Sequence, residues 1–212
     1  VDTPFTPYND KDLPKVTALA DGGWLVCWQS AGQEGPGWDI YQRRYASDGT
    51  PIGAEVRVNT AIYGNQEEPD VTALADGGWV VTWQSDEQDG SDSGIYQQRF
   101  NEAGSPIGGE SRVNLTTTNA QSHPSVTARA YGGWLVSWMS FEQGGQPWAD
   151  NSGWGIYYQL FNQDGGRQLT PYTAGYRGEV PVNATTAGDQ SQPSIATLPD
   201  GGWLVVWQSA GE

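Results

Sequence analysis

Three tryptophans outside the main repeat pattern are the residues best suited to bind a ligand. Trp38, Trp148 and Trp154 fall in segments rich in Gly, Asp, Asn and Gln, between stretches typical of strands. An exposed indole face can stack on the C–H face of a sugar ring, while amides and carboxylates bind its hydroxyl groups. We therefore predict a carbohydrate site formed by Trp38, Trp148, Asp150, Asn151, Trp154, Tyr172, Tyr176 and Arg177.

An acidic loop is a second candidate site. The segment SDEQDGSDSG places Asp86, Asp89 and Asp92 close together in a loop that also contains glycine. Ca²⁺ takes six to eight oxygen ligands, so such a loop suits calcium. The spacing does not match the DxDxDG pattern, and a solvated loop without metal is the alternative. No other cofactor is predicted.

Catalytic groups have less support in the sequence. A glycosidase needs two carboxylates about 5 to 10 Å apart, and no motif pairs the available candidates. The one histidine, His123, lies at a variable position just before a repeated proline, so a Ser-His-Asp triad would depend on a linker residue. We therefore lean towards a chain without enzymatic activity. The candidate carboxylates are Glu142, Asp150, Asp164 and Glu179.

These residues are carried by a fourfold repeat. Its copies read PKVTALADGGWLVCWQS, PDVTALADGGWVVTWQS, PSVTARAYGGWLVSWMS and PSIATLPDGGWLVVWQS, starting at Pro14, Pro69, Pro124 and Pro193. The spacings between the starts are 55, 55 and 69 residues. Two insertions enlarge the third copy, and they hold most of the predicted carbohydrate site. Capping the ring or covering a sheet edge is the alternative role for these insertions.

Each complete copy has four strand signals, with an Asp-Gly-Gly or similar turn after the first. Four antiparallel strands per repeat predict an all-β fold, a β-propeller of four-stranded blades. Three repeats are complete, and a partial fourth is shared between the termini. One domain then spans residues 1–212, with blades at about 14–68, 69–123, 124–192, and 193–212 with 1–13.

Recurring residues are expected to serve the fold rather than a site. The WxxxW pairs are predicted to be wedges between blades, and the glutamines three residues before each later copy are predicted to be buried polar ties. The recurring aspartates after the first strand are predicted to form turns. The pairs are Trp24/Trp28, Trp79/Trp83, Trp134/Trp138 and Trp203/Trp207, the glutamines are Gln66, Gln121 and Gln190, and the aspartates are Asp21, Asp76 and Asp200.

Charge and hydropathy exclude some partners. A net charge of −15 repels phosphate backbones, so no nucleic acid is expected. No apolar run is long enough to span a membrane. The single cysteine, Cys27, sits in an apolar strand pattern and is predicted to be a buried structural thiol.

The string VTALADGGWxVxWQS, followed by GIYxQRF and GExxVN, resembles a tandem repeat of about this length in large secreted bacterial proteins of hemolysin type or adhesin type. The resemblance covers nearly the whole chain apart from the insertions in copy three. It implies a secreted or cell-surface setting in a bacterium.

The loop tryptophans favour a non-catalytic extracellular binding module, lectin-like or adhesive, with carbohydrate as its ligand. One alternative is a structural or subunit propeller that completes its unfinished fourth blade with a partner chain or a second protomer. The other is a polysaccharide-active enzyme that uses the carboxylates of the copy-three insertions.

Overall fold

The computed structural model describes residues 10–32, 37–142, 153–168, 178–184 and 186–210, and all regular structure in them is β-strand. No helix that could cross a bilayer occurs in these ranges. The strands are β1 (Lys11–Ala18), β2 (Trp24–Ala31), β3 (Trp38–Tyr45), β4 (Pro51–Arg57), β5 (Gln66–Ala73), β6 (Trp79–Asp86), β7 (Ser93–Phe100), β8 (Pro106–Arg112), β9 (Gln121–Ala128), β10 (Trp134–Phe141), β11 (Trp154–Phe161), β12 (Val180–Pro181), β13 (Gln190–Thr197) and β14 (Trp203–Ser209).

Each complete repeat folds into one antiparallel sheet. Strands β1 to β4, β5 to β8 and β9 to β12 form three four-stranded blades in sequence order, and β13 pairs with β14. The prediction of a β-propeller with four-stranded blades is confirmed. Residues 11–13, which the repeat boundaries assign to the fourth blade, belong to β1 of the first blade. Residues 1–9 and 211–212 of the predicted fourth blade lie outside the described residues.

The turn between the first two strands of a blade explains the conserved Asp-Gly-Gly. Gly22 has φ of +84°, which favours glycine, and a Cβ on Gly23 would lie 2.3 Å from the carbonyl oxygen of Tyr45. The Oδ1 atom of Asp21 accepts the N–H of Gly23 at 2.9 Å. Asp76 and Asp200 make the same bond to Gly78 and Gly202, so the predicted turn role is confirmed.

The second strand of each blade supplies the packing between blades. In β6, Trp79, Val81 and Trp83 lie on one face and join a buried cluster with Leu25 and Cys27 of β2. In β10, Trp134, Val136 and Trp138 pack in the same way against the second blade. Trp83 and Trp138 are fully buried, which confirms the wedge prediction for the inner blades. Replacing a tryptophan buried in this way by alanine should lower the free energy of unfolding by about 3 to 5 kcal/mol.

The recurring glutamines are buried polar ties, as predicted. Asn59, after β4, donates to the Oε1 of Gln66 at 3.0 Å and accepts the N–H of Ile40 at 2.8 Å. The same bonds join Asn114 to Gln121 and Asn183 to Gln190, each at 2.8 Å. Each pair therefore fixes the chain where it passes from one blade to the next.

Candidate functional site

The first strands of the four blades surround an axial pocket. Strand β1 packs beside β5, β5 beside β9, and β9 beside β13. A cavity of about 440 Å³ lies between them, and residues from all four strands line it. Because each strand occupies the same place in its blade, equivalent repeat positions face one another across the axis.

A bulge in each first strand directs one side chain into this pocket. Pairing with the second strand shifts register around the repeated proline, as between Glu67 and Asp70 in β5. The residue before the proline has φ of 48° to 55° in every copy, a left-handed conformation that non-glycine residues rarely adopt. Bulges accommodate a proline inside a strand and reorient a neighbouring side chain. The four residues at this bulge, which we call the upper tier, are Leu13, Glu68, His123 and Gln192.

A second set of side chains lies two residues further along each strand. Lys15, Ser125 and Ser194 line the pocket, and Asp70 occupies the equivalent position in β5. We call these four residues the lower tier. Strand β5 therefore carries Glu68 at the pocket and the more buried carboxylate of Asp70 two residues further along.

Glu68 and His123 contact each other across adjacent blades. The Oε2 atom of Glu68 accepts the backbone N–H of His123 at 3.0 Å, and its Oε1 atom lies 3.1 Å from His123 Nε2. Both side chains remain partly exposed to the pocket, Glu68 at 27% and His123 at 41%. An exposed pair of this kind adds little to stability, so its position in the pocket is the more informative property.

Asp70 is the more buried carboxylate. Its Oδ2 atom accepts the N–H of Val126 in the next blade at 2.8 Å, and its Oδ1 atom accepts the N–H of Val71 at 3.0 Å. Burial raises the pKa of Asp70 above its ordinary value, opposed by the bond from Val126 and by the charge of Lys15. Asp70 therefore holds a proton to higher pH than an exposed aspartate does.

Two of the three tryptophans predicted to lie in loops, Trp38 and Trp154, instead begin strands β3 and β11. Trp38 pairs with Ala31 at the end of β2, and its N–H donates to Asn65 Oδ1 at 3.2 Å. Trp154 begins β11, packs tilted against Phe141 at 5.3 Å between ring centroids, and donates its N–H to the Oδ1 of Asp189 at 3.1 Å. These two tryptophans are half-buried and belong to blades one and three, with blade two between them. The rest of the predicted carbohydrate site, Trp148, Asp150, Asn151, Tyr172, Tyr176 and Arg177, lies outside the described residues.

The three acidic residues proposed to bind calcium point to different partners. The Oδ1 atom of Asp89 accepts the N–H of Ser91, and its buried Oδ2 atom lies 3.9 Å from Arg112. Asp86 instead lies near Glu67, whose pKa is raised by burial and by the charges of Asp86 and Glu68. Asp92 accepts the N–H of Glu87 with its backbone carbonyl. Within the described ranges, no three His, Cys, Asp or Glu side chains form a group that could hold a metal ion.

The three described carboxylates of copy three do not lie at the pocket. Glu179 is buried, and its two oxygens accept the N–H groups of Leu115 at 2.9 Å and Thr116 at 3.1 Å. Asp164 closes a turn by accepting the N–H of Gly166 at 3.1 Å. Glu142 is exposed at the end of β10. The fourth candidate, Asp150, lies outside the described residues.

Glu68, Asp70 and His123 were missed by the sequence interpretation. The sequence predicts a linker at the variable position just before each repeated proline, but the bulge lets the strand continue through it. A signal was present, because four copies of one repeat carry Leu, Glu, His and Gln at this position. A site to which each repeat contributes one residue would show this combination of a constant backbone and varied side chains.

No family model matches the chain, and no curated protein matches it. Solved structures share its fold at low identity. An endo-arabinase from Bacteroides thetaiotaomicron VPI-5482 aligns with TM-score 0.59 and 13% identity over 100% of this chain and 75% of its own. The α-L-arabinanase of Penicillium chrysogenum, complexed with arabinobiose, aligns with TM-score 0.62 and 16% identity over 93% and 57%. A protein of unknown function from Dyadobacter fermentans DSM 18053 gives TM-score 0.63 and 11% identity over 96% and 63%.

The chain thus spans between 57% and 75% of the length of these structures. At such identities the likeness establishes the fold. Two of the three proteins are named as enzymes that act on arabinan, and neither is named as a lectin or an adhesin. Because structures with this fold include enzymes, the expectation of a non-catalytic carbohydrate-binding module and the leaning against an enzyme are corrected.

Proposed function

We propose that the chain forms the catalytic propeller of a polysaccharide-active enzyme that hydrolyses glycosidic bonds at its axial pocket. The observation that carries this proposal is a pair of carboxylates on strand β5, with Glu68 lining the pocket and the more buried Asp70 two residues further along the same strand. Glycoside hydrolysis requires two carboxyl groups, one protonated and one ionised. The carboxylates of the copy-three insertions, considered from the sequence, are replaced in this role by the axial pair.

The two carboxyl groups have environments that suit different roles. Asp70 is buried and its pKa is raised, so it is the group suited to protonate the oxygen of the departing sugar. Glu68 is more open to the pocket and accepts contacts on both oxygens from His123. It is the group suited to attack the sugar or to activate a water molecule. The distance between the two carboxyl groups in the complex with substrate decides whether Glu68 attacks the sugar or activates water.

Three uncharged polar side chains of the pocket suit a hydroxyl-rich substrate. Gln192, Ser125 and Ser194 line the cavity and can donate to or accept from sugar hydroxyls. The two arabinanases that share the fold support a plant-type pentose polymer as substrate class. Because intact polymers do not cross membranes, the proposal places the enzyme outside the cell or at its surface.

Release of reducing ends from arabinan and xylan tests the proposal. Glu68→Gln and Asp70→Asn should each lower kcat by about 100-fold or more, the scale of a lost acid or base. Asp164→Asn and Glu142→Gln remove carboxylates that lie away from the pocket and should keep wild-type activity. Near-ultraviolet circular dichroism of each variant checks that the propeller is intact. An inactive wild type on these polymers, or full activity in both axial variants, would contradict the proposal.

A further inference from the structure

The contact between Glu68 and His123 departs from the pattern that the other blades follow. At the bulge of β5, the N–H of Glu68 donates to the Oε1 of Gln29, a residue of β2 in the preceding blade. At the bulge of β13, the N–H of Gln192 meets the Sδ of Met139, which holds the same repeat position in β10, at 3.3 Å. In these two copies, the N–H at the bulge therefore donates to a side chain on the second strand of the preceding blade.

At the bulge of β9 the acceptor is different. The residue at the expected position is Gln84, but the N–H of His123 donates to Glu68, a residue of the pocket itself. The imidazole of His123 then reaches the other oxygen of the same carboxylate. One residue thus contacts both oxygens of Glu68, and this restricts rotation of the carboxylate about its last bond.

We propose that His123 is a positioning residue, which orients the Glu68 carboxylate for the reaction in the axial pocket. This inference rests on the proposed function. The geometry requires two points of contact, because the backbone bond alone fixes Oε2 but leaves Oε1 free to turn. Among the described residues, the other pocket side chains do not supply the second point. Leu13 is apolar, Lys15 forms no ion pair with Glu68, and Gln192 and Ser194 lie on the strand beyond β9.

His123→Ala separates the two contacts, because it removes the imidazole and keeps the backbone N–H. It should lower kcat by between about 10-fold and 100-fold with less than a twofold change in KM, as expected for a misdirected catalytic group. His123→Gln restores a side-chain amide and should recover part of the loss. Gln192→Ala is the matched control at the equivalent bulge, and its effect should fall on KM rather than on kcat. A rise in KM without a fall in kcat for His123→Ala would overturn the inference.

A second measurement does not depend on activity. The chain has one histidine, so its ring gives a single assignable set of ¹H–¹³C signals. Glu68→Gln should move these signals, while Glu102→Gln, a substitution in a distant turn, should leave them in place. Unmoved signals in Glu68→Gln would overturn the positioning role even in an active enzyme. A wild type without hydrolytic activity but with the expected shift would overturn the proposed function, and the catalytic role of the contact with it.

Discussion

The indole N–H of Trp79 donates to the Oε1 of Gln42 at 2.8 Å across the interface between the first two blades. Trp134 and Gln97 repeat this bond at 2.8 Å across the next interface. At the third interface Tyr158 replaces the glutamine, and its ring meets Trp203 edge-on with centroids 6.0 Å apart. At the first two interfaces, Trp79 and Trp134 are therefore held by a polar contact as well as by burial, whereas Trp207 of the last pair is exposed.

Loss of this contact should weaken the fold. Gln42→Leu leaves the buried indole N–H of Trp79 without its acceptor, and an unsatisfied buried group costs about 1 to 3 kcal/mol. Urea denaturation followed by tryptophan fluorescence measures the change in the free energy of unfolding. Gln163→Ala, an exposed substitution in a turn, should change that free energy by less than about 0.5 kcal/mol. Equal stability of the two variants would contradict the role assigned to Gln42.

Two glycines in the second blade differ sharply in the space around them. A Cβ on Gly78 would lie 2.2 Å from the carbonyl oxygen of Phe100, whereas a Cβ on Gly109 would meet nothing within 4 Å. Gly78→Ala should therefore destabilise the protein by about 1 to 3 kcal/mol, the scale of an overpacked site. Gly109→Ala should be close to neutral. Thermal unfolding of both variants beside the wild type decides whether the turn is as tight as described.

The thiol of Cys27 should be inert in the folded protein. Burial in the first inter-blade cluster raises the pKa of this thiol well above its ordinary value, and the nearby charge of Asp70 acts in the same direction. The reactive thiolate is then scarce and inaccessible. Ellman's reagent should label the native protein at least about 100-fold more slowly than the urea-unfolded protein, because a buried thiol reacts only when the structure around it opens. Rapid labelling without denaturant would show that the cluster opens.

Asp70 should make stability depend on pH in a defined direction. Its folded pKa is raised, so the folded state binds a proton more tightly than the unfolded state does. The stability that this proton supplies is present below the unfolded pKa and is lost as pH rises through the folded pKa. Stability should therefore fall as the pH rises above about 4, the ordinary pKa of aspartate, by more in the wild type than in Asp70→Asn. Urea titrations at several pH values test this, and identical slopes in the two proteins would contradict it.

The sequence predicted those parts of the fold that recur. Alternation in the segment from Trp79 to Trp83, which recurs in four copies, predicted the strands, the wedges and the propeller. Gln66 was predicted as a tie because a glutamine recurs three residues before each later copy, and its hydrogen bond with Asn59 confirms it.

The axial site could not be assembled in this way, because Glu68 and His123 are 55 residues apart and meet only when neighbouring blades pack. Whether they touch depends on the bulge before the repeated proline, a backbone feature that periodicity does not encode. The polar tie between Trp79 and Gln42 was missed for a related reason. Both partners recur at fixed positions, but their pairing runs between two blades.

The bulge has a consequence for how such a protein could change. It holds the backbone in the same unusual conformation in all four blades, yet it accepts leucine, glutamate, histidine and glutamine there. The repeat thus separates a constant framework from four independently replaceable side chains that share one cavity. New chemistry at the axis would need only exchanges at these positions, with no change to the strands, the wedges or the turns that form the propeller.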